Sequence, residues 1–138
     1  MKKKIKGYFL PIALWGTLGA IIIWQGCANS VSPEQQQLNQ IVFPATNVSY
    51  SQDVQPMFNL ACTYSGCHDD GTKAKGLSLT SWTNAYYSDA GVIIAGNPNS
   101  SKLCEVLEGK LAHLAPLDTI QNHVKGVHQW VLEGAKNN

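Results

Sequence analysis

Residues 62–68 read Cys-Thr-Tyr-Ser-Gly-Cys-His, and no other stretch restricts this chain as strongly. Two cysteines stand close together, and a histidine follows the second directly. Such a pair can bond a haem through two thioethers, with the adjacent histidine ligating its iron from the proximal side. The usual signature is Cys-x-x-Cys-His, whereas here four residues separate Cys62 from Cys67. The extra residues must bulge, and Gly66 can take the positive φ that closes a bulge without a Cβ clash. On this reading Cys67 and His68 keep their ordinary relation and Cys62 is displaced. A Cys62–Cys67 disulfide is an alternative use of the same thiols. Zinc held by Cys62, Cys67 and His68, with His113 or Cys104 as fourth ligand, is another, although consecutive ligands crowd a tetrahedral ion.

The cysteine count bears on the choice, and the amino terminus bears on the count. Lys2, Lys3, Lys4 and Lys6 precede an almost uncharged apolar run from Phe9 to Trp24, which Gly26-Cys27 closes. Residues 1–26 thus have the composition of a signal peptide. A small residue before cysteine resembles the bacterial lipobox, and cleavage there leaves Cys27 as a lipid-modified terminus. An uncleaved membrane helix, near the short limit for spanning, is the alternative. Either arrangement puts the rest of the chain outside the cytoplasm at a membrane, on its periplasmic or cell-surface side. With Cys27 acylated, Cys62, Cys67 and Cys104 remain, and three thiols cannot all pair. Cys104 is expected as a small buried apolar residue.

From Cys27 onward there are six lysines, no arginine and nine acidic residues, a formal charge of −3. Nucleic acid is an unsuitable partner, since phosphate binding needs clustered positive charge. A weakly acidic surface suits a basic redox partner. The chain of 138 residues has room for one domain.

Residues 27–49 read as a flexible tether, polar and glutamine-rich, with Ile41-Val42-Phe43 as a small apolar patch. Residues 50–138 read as the domain. Ser51 is an expected N-cap, and Val54, Met57, Phe58 and Ala61 share one helical face leading into Cys62. Asp69-Asp70-Gly71-Thr72 is a solvated turn, and Gly76-Leu77-Ser78-Leu79 an extended connector. Thr80 or Ser81 caps a short helix through Trp82, Ala85 and Tyr86. Ser100 or Ser101 caps another through Leu103, Cys104, Val106 and Leu107, stopped at Gly109. The last helix runs from about Leu117 or Asp118 to Glu133, with Ile120, Val124, Val127 and Val131 as its apolar stripe and Trp130 beside it. The fold class is all-α, three to five short helices joined by long loops. About 90 residues so arranged make a thin core, and a covalently held haem would supply the missing apolar centre.

These segments together resemble the small c-type cytochromes, and more narrowly a lipoprotein branch common in Bacteroidota and Planctomycetes. The resemblance covers roughly residues 51–136. It is carried by Asp53-Val54-Gln55-Pro56-Met57-Phe58, Ser65-Gly66-Cys67-His68 and Gly76-Leu77-Ser78-Leu79. Two later pieces extend it, Ala95-Gly96-Asn97-Pro98-Asn99-Ser100-Ser101-Lys102-Leu103 and Trp130-Val131-Leu132-Glu133-Gly134-Ala135. It implies a class I cytochrome c fold whose first and last helices cross, with Phe58 and Trp130 near the crossing. It also implies one covalent haem c with Cys62, Cys67 and His68 as its attachment residues.

The sequence departs from the family at the sixth iron ligand. The family usually offers a methionine before a proline ahead of the last helix, and here that place reads His113-Leu114-Ala115-Pro116. His113 is therefore the candidate distal ligand, a solvent-exposed loop residue being the other reading. Met57, the only methionine after the signal segment, reads as core filler. His123 and His128 read as surface or boundary residues. The expected function is electron transfer between redox partner proteins by a lipid-anchored protein, not an enzyme. The alternatives are a haem sensor or peroxidase-like protein with an open iron site, and a disulfide- or zinc-stabilised interaction lipoprotein without haem.

Overall fold

A computed structural model describes residues 32–114 and 117–138. Residues 1–26, expected to be a signal segment, and Cys27, the expected lipidation site, lie outside the described residues. Among those described, the secondary structure is helical, with no strand, and no helix is long and apolar enough to cross a membrane.

The first helix, α1, is Pro33–Gln40, within the stretch expected to be a flexible tether. Its start is well specified: the Ser32 hydroxyl accepts from Gln35 N, Pro33 opens the helix and Glu34 sits in the first turn. Leu38 is buried. Residues 32–49 belong to the same compact unit as the rest of the domain, so the tether reading is corrected for them. Sparse apolar residues, Leu38, Ile41 and Phe43, join the core, and burying them offsets the entropy of ordering the segment.

A π-helical turn, Tyr50–Val54, is capped by Ser49, not by the expected Ser51; the Ser49 hydroxyl accepts from Gln52 N. It runs directly into α2, Gln55–Ala61, where Pro56 lies in the first turn, the place in a helix that tolerates proline. Val54, Met57 and Phe58 are fully buried and Ala61 partly, so the expected face is the observed one, and Met57 is core filler.

Helix α3, Trp82–Tyr86, is capped by the Ser81 hydroxyl accepting from Asn84 N. Helix α4, Lys102–Leu107, follows a short 3₁₀ turn, Pro98–Ser100. Ser101 precedes it, but its hydroxyl serves the loop instead of the helix, donating to Ile94 O and Asn97 O and accepting from Ile94 N. The last helix begins as a 3₁₀ segment, Asp118–His123, before α5, Val124–Leu132.

Trp130 and Phe58, the two largest fully buried side chains, anchor the core together with Val127 and Val131. Each large side chain so buried contributes about 2–3 kcal/mol. Trp130 lies in the centre of the buried face, against Tyr50 at a ring-centre distance of 5.5 Å, and its indole N–H donates to Lys136 O at 3.0 Å. The Glu133 carboxylate accepts from Asn47 N at 2.8 Å and Val48 N at 2.9 Å, tying the end of α5 to the segment before the π turn.

His123 is a second correction. It was expected at a boundary, yet it is only 3 % exposed. Its Nε2–H donates to Leu38 O at 3.0 Å and Ile41 O at 3.2 Å, and its ring lies edge-on to Phe43. The 82–85 residues between partners explain why no local pattern revealed the contact.

Candidate functional site

Helix α2 delivers Cys62 to one wall of a cavity. Cys62 N closes the last turn on Phe58 O at 2.8 Å, and the chain then leaves the helix. The loop returns on itself, since His68 N donates to Cys62 O at 3.1 Å and Cys67 N to Tyr64 O at 2.9 Å. Gly66 turns it at φ +89°, with nothing within 4 Å of where a Cβ would stand. The two extra residues are thus absorbed in a closed loop that leaves Cys62, Cys67 and His68 on one cavity.

His68 is fixed through its own ring. Nδ1 lies 3.2 Å from Leu77 O, and a carbonyl can only accept, so Nδ1 carries the proton. The backbone repeats the tie, with Leu79 N donating to His68 O at 2.9 Å. In the neutral ring Nε2 is then left with its lone pair, the arrangement found when a backbone carbonyl orients a metal-ligating histidine.

The cavity has a volume of about 270 Å³. Its lining is mostly apolar: Leu77 and Leu79 from the connector, Leu103, Val106 and Leu107 from α4, and Leu117 ahead of the last helix. His113 lines it too. The ring centres of His68 and His113 are 6.0 Å apart and their planes differ by 31°. Two imidazoles bound through nitrogen to opposite sides of one metal would have centres about 6.4 Å apart, given bonds of about 2 Å and about 1.2 Å from nitrogen to ring centre. The observed ring-centre distance lies within about 0.5 Å of that separation. Ala115 and Pro116, part of the same expected ligand loop, lie outside the described residues.

Burial, with the neighbouring Cys67 second, pushes the Cys62 thiol up to about 12. At neutral pH it stays a thiol, which does not suit a thiolate nucleophile. Cys62 and Cys67 are both free, not joined in a disulfide. Among the described residues no group of three or more His, Cys, Asp or Glu is arranged to hold a metal ion, so the zinc reading lacks a preformed site. Cys104 is buried as expected, and burial pushes its thiol up to about 12 as well.

His123 and His128 are not brought to the cavity. His123 is spent on α1, and His128 lies 3.8 Å from Glu108. Lys75 and Lys102 do line it, and neither was singled out from the sequence, because a lysine in a polar stretch carries no signal of what it faces. Asp69-Asp70 is a turn as expected, but Asp70 is more than solvated. Its Oδ1 accepts from Ser78 Oγ, Thr80 Oγ1 and Asn84 Nδ2 at 2.7–3.1 Å, and these bonds, Ser78 first, hold its carboxyl below the usual range.

Compared with known protein families, characterised proteins and solved structures, the chain matches none.

Proposed function

We propose that this chain is an extracytoplasmic electron-transfer protein carrying one haem c in a class I cytochrome c-like fold, anchored to the membrane through a lipid on Cys27. The observation that carries the reading is the shared cavity lined by Cys62, Cys67, His68 and His113, with the rings of the two histidines 6.0 Å apart between centres. The family resemblance adds to it, as does the full burial of Phe58 and of Trp130, the two aromatics which that resemblance assigns to the helix crossing.

When bound, the haem supplies one-electron redox chemistry and the protein sets its ligands and surroundings. Cys62 and Cys67 would hold it by thioethers. His68 would ligate through Nε2, its ring held by Leu77 O. His113 would be the ligand from the other side. Histidine in place of methionine lowers the reduction potential, because His/Met ligation raises it. Leu77, Leu79, Leu103, Val106 and Leu107 keep water from the cavity walls. No substrate pocket beyond this one is required, and the partners are other redox proteins.

The test is the full chain produced in a host that matures c-type cytochromes. Intact mass should show one added haem and one lipidated cysteine, and the haem should stay with the protein on a denaturing gel. The absorption spectrum should be low-spin, and His113→Ala should convert it to high-spin. A low-spin spectrum unchanged by that substitution removes His113 as ligand. A high-spin wild type favours the open-iron reading, and colourless protein with free Cys62 and Cys67 ends the haem reading.

A further inference from the structure

We propose that Lys75 and Lys102 are the counter-charges for the acidic groups of the cavity's ligand, which on the haem reading above are the two porphyrin propionates. From Cys27 onward the chain holds nine acidic residues and six lysines. Two of the lysines line the cavity, and none of the acidic residues does. In a chain of net negative charge, the two acid-pairing side chains that line this apolar cavity, Lys75 and Lys102, are therefore unopposed by any carboxylate in its lining. That pattern selects a ligand with an apolar body and carboxylates at its edge, which the lysines meet while their stems lie along the apolar wall.

The two lysines come from different elements. Lys102 opens α4, whose Leu103, Val106 and Leu107 form part of the wall. Lys75 belongs to the loop that supports His68, two residues before Leu77. Its backbone is left-handed, at φ 56° and ψ 28°, a conformation unfavourable for lysine. Both side chains are exposed residues at the cavity edge, where a ligand's acidic groups would stay near water and its body would go in. Charges there would favour the ferrous over the ferric state, because removing a nearby cation stabilises the more positive oxidised iron.

The experiment uses the full haem-loaded chain as wild type, Lys75→Gln, Lys102→Gln, the double variant, and Lys125→Gln, an exposed lysine that does not line the cavity. Haem content is read first, by mass and stain; a wild type without haem overturns the haem reading and this assignment with it. With haem present, reduction potential is measured spectroelectrochemically from pH 5 to 9. Each cavity substitution should raise the ferric-to-ferrous ratio about threefold at fixed applied potential, a fall of about 28 mV at 59 mV per tenfold. The inflection from propionate ionisation should move to higher pH, as loss of a nearby cation does to any acid. Both effects should shrink with added salt. Lys125→Gln should move neither, and Lys75→Arg and Lys102→Arg should keep the wild-type values, which separates lost charge from disturbed folding. Haem-loaded cavity variants with unchanged potential and inflection overturn the lysine assignment alone, as does an equal shift in Lys125→Gln.

Discussion

Gly126→Ala should destabilise this protein, although alanine is the better helix former. Gly126 lies inside α5, and the exchange alone would be worth about 1 kcal/mol in the protein's favour. The added carbon, however, would stand 2.1 Å from Phe43 Cγ, 2.3 Å from Cδ1 and 2.5 Å from Cβ. Because Cβ is among these atoms, a new rotamer of Phe43 cannot clear the clash, and the segment after α1 must move. Losing the half-buried Phe43 costs about 1–2 kcal/mol of apolar burial. The edge contact with His123 adds about 0.5–1 kcal/mol, and weakening the hydrogen bonds from His123 to Leu38 O and Ile41 O adds about 1 kcal/mol. The net loss is about 2 kcal/mol, and at 4–8 °C per kcal/mol Tm should fall by about 10 °C. Thermal unfolding followed by far-UV circular dichroism measures it. The control is Phe43→Gly, which removes all three of the clashing atoms: in that background Gly126→Ala should raise Tm by a few degrees, since the helix term then dominates. A rise in Tm from Gly126→Ala in the wild-type background would refute the packing of residues 41–43 against α5.

Other outcomes follow from the same contacts. Glu133 is held below its ordinary value of 4.5, chiefly by the Gln129 amide and then by the N–H groups of Asn47 and Val48. A depressed carboxylate stabilises the fold above its unfolded value, and the contribution is lost as pH falls through the folded one. Tm should therefore drop below pH 4.5, and Glu133→Gln should flatten that acid limb in a Tm-against-pH series. On the haem reading, Cys67→Ala should leave one thioether at most, seen as haem partly extracted by acidified organic solvent where the wild type releases none. Cys104 should take no iodoacetamide label in the native haem-loaded chain at pH 7.5 and one equivalent in denaturant, counted by mass.

Local chemistry made much of the domain readable. The Val54–Ala61 face, the Ser81 cap and the apolar stripe of α5 obey short-range rules, and each stands where the pattern puts it. The closing turn at Gly66 was readable too, because glycine takes the positive φ of such a turn without a Cβ clash. Long-range contacts were not readable. Ser32-Pro33-Glu34 is a sound helix start, but a glutamine-rich composition hid it, and its burial depends on His123 and Gly126 far along the chain. His123 looked like a boundary residue because its partners are backbone carbonyls, which leave no trace in side-chain spacing. His113 was found by its place ahead of the last helix, whereas Lys75 and Lys102 became visible only once the cavity was seen from inside.

The bonds around Asp70 bear on how the domain assembles. Its partners Ser78, Thr80 and Asn84 lie only 8–14 residues away, and so small a ring closes at little entropic cost. The hairpin of chain that presents His68 can therefore take shape early and by itself, leaving the distant ends, joined through Tyr50 and Trp130, to lock afterwards. On the haem reading, a thiol-bearing loop already shaped in the half-folded chain would be a ready template for whatever enzyme attaches the cofactor, well before the walls of the cavity close around it.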